Sequence, residues 1–230
     1  MKKIQHLHCY LLCLLVLSSH TNLFDYGLDL YETGHIHNNG SGQFEIAADL
    51  TRAEQLIRIV SLFANVTPDT AKKSVQSVFS EVADDLKSIS GISNVAATHD
   101  AKTLYFKLSF HFSSIKALNR AMYQLYTHAD HPGRTSFEMN RHAFSRVDTQ
   151  NIAQLLTYYY AKADPRIANI IPKKSLNVIT YNLTYSFDKK IKHTTHVFSS
   201  ISEDRFTLSL KKPLFDAYQE KLSLSNKIFF

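Results

Sequence analysis

The chain has 230 residues, 26 basic and 20 acidic, for a formal charge of +6, with 44% hydrophobic residues and six glycines. That balance excludes an intrinsically disordered chain, and the length suffices for one large or two small cores. The lysine pairs at 72–73, 173–174, 189–190 and 211–212 fall in four separate segments and make no basic stripe, so no nucleic-acid partner is expected.

Residues 1–20 begin with Lys2 and Lys3, continue through an apolar run from Tyr10 to Leu17, and close on the small pair Ser18 and Ser19. This is the order of a secretory signal peptide. The run is shorter than the ~20 apolar residues that a bilayer span needs, so no transmembrane span is expected in the mature chain. Both cysteines, Cys9 and Cys13, lie inside the leader. A cleaved product would carry no thiol, which excludes disulfides, cysteine nucleophiles and thiolate metal sites. Loss of Lys2 and Lys3 lowers the formal charge from +6 to +4.

Residues 28–50 read as two strands joined at "HNNGSG", 37–42, whose residues tolerate positive φ. Thr51 and Glu54 form a capping box ahead of Leu56, Ile59, Val60 and Phe63, which predicts a short helix. A second helix is bounded by Thr67 as cap, Pro68 in the first turn and Gly91 at its end, with Val75, Val78, Phe79, Val82, Leu86 and Ile89 on one stripe. The segment 91–112 reads as a hairpin turning near His99 to Lys102. Its second arm alternates Leu104, Phe106, Leu108, Phe110 and Phe112 with polar residues. A helix carrying Ile115, Leu118, Met122 and Leu125 follows.

Beyond it, 128–147 suggests another hairpin after a Pro-Gly turn, and Asp148 caps a helix through Tyr159. Strands are expected over 176–187, 191–199 and 204–210, the last two paired across Ser-Glu-Asp, then a helix over 213–222 and a short apolar tail. The expected fold class is α+β, with antiparallel sheets covered by amphipathic helices. The expected organisation is a signal peptide over 1–20, an α+β domain over 21–147, and a C-terminal helix with antiparallel strands over 148–230 that can belong to the same domain.

Three stretches carry a resemblance: "YETGHIHNNGSGQFEIAADLT", 31–51; "ISGISNV", 89–95; and "FHFSSIKALNRAM", 110–122. With the leader, they resemble a group of uncharacterised cell-envelope lipoproteins of Gram-negative bacteria. The resemblance covers the first half of the mature chain and implies an exported envelope protein without known catalytic residues. His20 stands where those proteins carry the lipid-bearing cysteine. Because acylation requires a thiol, the product is expected to be water-soluble or held to a membrane by partners.

Histidines are the chain's unusual chemical resource. His35 and His37 are two apart, so on a strand both imidazoles project from one face and can hold zinc or copper. A third ligand would come from Glu32, His99, His111, or the group His128, Asp130 and His131. In "HADHPGR" those last three and Arg134 offer a base, a carboxylate and an anion clamp, a composition that a hydrophilic loop shares. No GxSxG elbow and no strand-linked phosphate loop occurs. Tyr158, Tyr159 and Tyr160 are consecutive, so on a helix at least one must face solvent or a partner. The reading is an exported, non-catalytic binding or assembly module whose partner is an envelope protein, glycan or lipid, with no cofactor. The alternative is a metal-binding protein or metallohydrolase using His35 and His37.

Overall fold

The computed structural model describes residues 27–54, 67–100, 102–126, 135–147, 179–213 and 225–230. The leader, the capping-box helix past Glu54, "HADHPGR", the helix from Asp148 with Tyr158, Tyr159 and Tyr160, and positions 214–222 lie outside the described residues.

Strands β1 (Leu28–Ile36) and β2 (Gly42–Asp49) form the expected hairpin. Its turn is closed by the His37 N–H donating to the Ser41 carbonyl at 2.8 Å, and Gly40 supplies φ +80. Gly42 admits no side chain, since a Cβ would lie 2.0 Å from the His35 carbonyl oxygen. Helix α1 (Pro68–Lys87) starts as predicted, with the Thr67 hydroxyl accepting the Thr70 N–H at 3.1 Å. It stops at Lys87, four residues before Gly91. The Ser88 N–H finds the Asp85 carbonyl there, and Gly91, at φ +85, turns the chain into the next strand instead. Strands β3 (Ile92–Asp100) and β4 (Tyr105–Phe112) pair antiparallel, and helix α2 (Ile115–Tyr126) follows.

Among the described residues the remaining strands are β5 (Phe137–Met139), β6 (Ala143–Arg146), β7 (Ile179–Phe187), β8 (His193–Thr194), β9 (Ser200–Ile201), β10 (Thr207–Pro213) and β11 (Asn226–Phe229). They build two sheets, one of seven strands in the order β3-β4-β2-β1-β7-β10-β9 and one of four in the order β5-β6-β11-β8. The strand expected over 191–199 is not continuous. Ile191 is buried, the Ser199 N–H turns back onto the His196 carbonyl, and the chain crosses from one sheet to the other. Thus β8 pairs with β11, while β9, just beyond that stretch, pairs with the free edge of β10. The apolar tail is β11, an interior strand of the smaller sheet with Ile228 fully buried.

Two features correct the expectation of antiparallel sheets under helices. First, β7 runs parallel to β1 along its whole length. The chain that joins β1 to β7, residues 37–178, far exceeds the dozen or so residues that a parallel crossover requires. Second, sheet dominates the described residues. The helices pack over the β3 and β4 side, while the smaller sheet covers the β1 and β7 side. All these elements meet one face of the large sheet. Phe44, Phe106, Phe110 and Phe112 lie on its first half, and Tyr181, Leu183, Tyr185 and Phe187 on its second, all buried. Phe137 and Phe144 of the smaller sheet close on them edge to face, at 5.7 Å from Phe44 and 5.4 Å from Tyr185. The opposite face is polar and partly exposed, carrying Tyr31, Thr33 and His35 beside Glu45, Tyr105, Lys107 and Ser109. No helix among the described residues is long and apolar enough to cross a membrane.

Candidate functional site

Alternation along β1 places Glu32 in phase with Leu28, Leu30 and Ile36, that is, on the core face. A lone carboxylate cannot stay ionised there, and the fold brings three partners to it. Arg146, in phase with Phe144 on β6, donates from Nε to Oε1 at 3.0 Å and from Nη2 to Oε2 at 2.5 Å. Tyr181 and Tyr185 on β7 donate their hydroxyls to the same two oxygens. Gly34 leaves room for this, because a Cβ there would come within 3.0 Å of the Tyr185 ring. Glu32 is 1% and Arg146 3% exposed, so this cluster is a polar pin between the two sheets, closed to solvent. Burial, and then the Glu32 charge, push the Tyr185 phenol well above its ordinary value, and it remains a donor. Glu32 therefore does not join His35 and His37, which lie on the other side of β1.

On that outer side the two histidines meet. Their ring centroids are 4.7 Å apart and nearly perpendicular. The parallel register sets His35 opposite Ser186, and the residue after β7 adds Asp188 to the pair. His35 Nδ1 lies 2.7 Å from Ser186 Oγ, and its Nε2 lies 3.5 Å from Asp188 Oδ1. His37 Nδ1 is 3.2 and 3.1 Å from the two Asp188 oxygens, and the Asn38 N–H donates to Oδ2 at 3.2 Å. Desolvation pushes the Asp188 carboxyl up, but the Asn38 N–H, the His37 hydrogen bond and the two imidazoles together hold it below the usual carboxylate range.

The other candidate ligands are elsewhere. His99 stacks on Phe106 at 6.2 Å between centroids. His111 sits 3.3 Å from Asn94 Nδ2, on the far wall of a shallow depression of about 250 Å³ that also borders His35. His128, Asp130, His131 and Arg134, like Tyr158, Tyr159 and Tyr160, fall outside the described residues. Sequence reasoning found the histidine pair from its spacing and missed Asp188, which stands 151 residues from His37. The one sequence signal was "SFD", 186–188, at the end of a strand, and it becomes informative only once the β1–β7 register is known.

No family model and no curated protein matches the sequence. Among solved structures, the folded domain of LppM from Mycobacterium tuberculosis is similar to this chain at 12% identity and a TM-score of 0.41, over 92% of this chain and 94% of that one. A likeness at that level carries no inference about role.

Proposed function

We propose that the chain is exported and serves in the cell envelope as a non-catalytic binding or assembly module, touching its partner with the polar face of the seven-stranded sheet. The observation that supports this most is the two-sidedness of that sheet: helices and the smaller sheet cover one face, and no described element packs on the other. Export is supported by the basic, apolar and small-residue order of residues 2–19, and the envelope by the resemblance of residues 31–122.

The chemistry of the face favours a glycan. Its charges are largely paired internally, Glu45 with Lys107 at 3.3 Å and Asp29 with Arg52 at 3.1 Å. The positive excess that draws a protein to anionic lipid is therefore missing from this face. What it offers is hydroxyls and amides, from Thr33, Ser109, Asn182 and Thr184, flanking two tyrosine rings. Tyr31 and Tyr105 have centroids 6.4 Å apart. Desolvation first, then Asp29 and Asp49 for Tyr31 and Glu45 for Tyr105, raise both phenols, which stay protonated donors at neutral pH. Rings with polar tips among fixed hydrogen-bonding groups suit sugar rings, which have apolar faces and hydroxyl rims.

Co-sedimentation tests this directly. The mature chain should pellet with insoluble envelope glycan, and a Tyr31→Ala/Tyr105→Ala variant should remain in the supernatant. Capture by anionic vesicles with no retention on glycan would overturn the reading.

A further inference from the structure

We propose that His35, His37 and Asp188 bind a divalent transition-metal ion, zinc before others, with at least one coordination position left open to solvent. The inference rests on side-chain geometry and is independent of what the sheet face binds.

The spacing of the donor atoms is the first support. Ligands 2.0–2.1 Å from a tetrahedral zinc lie about 3.3 Å from one another. The two edges that meet at Asp188 Oδ1 are 3.5 Å, from His35 Nε2, and 3.2 Å, from His37 Nδ1. The three donor atoms all lie within 4.8 Å, so closing the imidazole–imidazole edge requires side-chain rotation alone. Two imidazoles and one carboxylate form a donor set that zinc accepts.

The second support is the orientation of His35. Ser186 Oγ lies 2.7 Å from His35 Nδ1 and 3.4 Å from the Gly34 carbonyl oxygen, so with its own proton turned to Gly34 it can accept an Nδ1–H from His35. That tautomer leaves the Nε2 lone pair facing the Asp188 carboxylate. Two electron-rich atoms 3.5 Å apart are stabilised by a cation between them, and an Nδ1–H held by a fixed acceptor is how metal-binding histidines are commonly oriented.

The third support is the frame. His35 is in β1, Ser186 is in β7, and the two strands run in parallel register, while the closed turn 37–41 positions His37. The two lysines that follow Asp188 in the chain are engaged elsewhere. Lys189 Nζ donates to the Arg141 carbonyl at 3.2 Å, and Lys190 lies over the Phe206 ring. All three ligand side chains are between a third and a half exposed, which gives an ion its entry path and a place for water.

The experiment is a calorimetric titration of the untagged, chelator-stripped chain with zinc ion alone, with Cys9 and Cys13 replaced by Ser. One ion per chain should bind at pH 7, with saturable uptake. Asp188→Asn and His37→Ala should each weaken binding at least tenfold, Ser186→Ala by about tenfold through loss of orientation, and His111→Ala not at all. In the unsubstituted histidine background, imidazole nitrogen NMR should show His35 and His37 moving at one equivalent of zinc while the His111 signal stays, a readout that needs no variant to fold. Absence of saturable uptake, or Asp188→Asn and His37→Ala binding like the parent, would overturn the proposal.

Discussion

Glu32 and Arg146 are 114 residues apart in the chain and meet at 2.5 Å in a site closed to water. Breaking such a pair leaves one buried charge uncompensated. Arg146→Met should therefore cost about 3–5 kcal/mol in urea unfolding, and Glu32→Met/Arg146→Met should recover much of that loss. A single-variant cost near zero would show that the two layers are not pinned there. Tyr185→Phe removes one donor to the same carboxylate and should cost about 1–3 kcal/mol. It should also change the alkaline limb. Because the folded phenol is raised above 10.0, its contribution is fully present below that value and is lost as pH rises through the higher folded value. Asp188 has the opposite sign. Its folded carboxyl is depressed, so its contribution is present above the ordinary carboxylate range and fades as pH falls through the folded value. Asp188→Asn should flatten the acid side of the stability profile, measured by circular dichroism across pH.

Strands and helices defined by local pattern were legible in the sequence. The alternation in 105–112 and the cap at Thr67 are set by neighbours a few residues away, and both appear where expected. What stayed hidden is what depends on distant partners. The short β8 and β9 exist because two different sheets capture them, and β11 because β6 and β8 flank it; none has a period long enough to read. Glu32 and Arg146 did leave a trace: a charge at a core-phase position on each strand signals a buried partner. The same dependence makes the tail an informative place to cut. Ile228→Ala should cost about 2–5 kcal/mol, and ending the chain at 224 should remove the strand that joins β6 to β8. Gly42→Ala tests the hairpin. A methyl group there meets the His35 carbonyl, so the variant should be less stable and should shift the His35 imidazole signals in NMR.

At the scale of the molecule, the large sheet joins both halves of the sequence, since β7 pairs with β1 and carries β10 on its other edge. That single parallel contact creates both sites: on the buried face it delivers Tyr181 and Tyr185 to Glu32, and on the outer face it delivers Ser186 and Asp188 to the histidines. Neither could be assembled from the sequence, because a strand's period fixes which side a residue faces but not which strand lies next to it. The export reading stands on different ground, the composition of residues 1–20, and the envelope role depends on it. The most direct test is intact-mass spectrometry of the protein recovered from separated cytosolic and envelope fractions of cells expressing the full sequence. The account predicts a species in the envelope fraction that lacks the leader, with no acyl chain and no thiol. Full-length protein confined to the cytosol, still carrying Cys9 and Cys13, would contradict it.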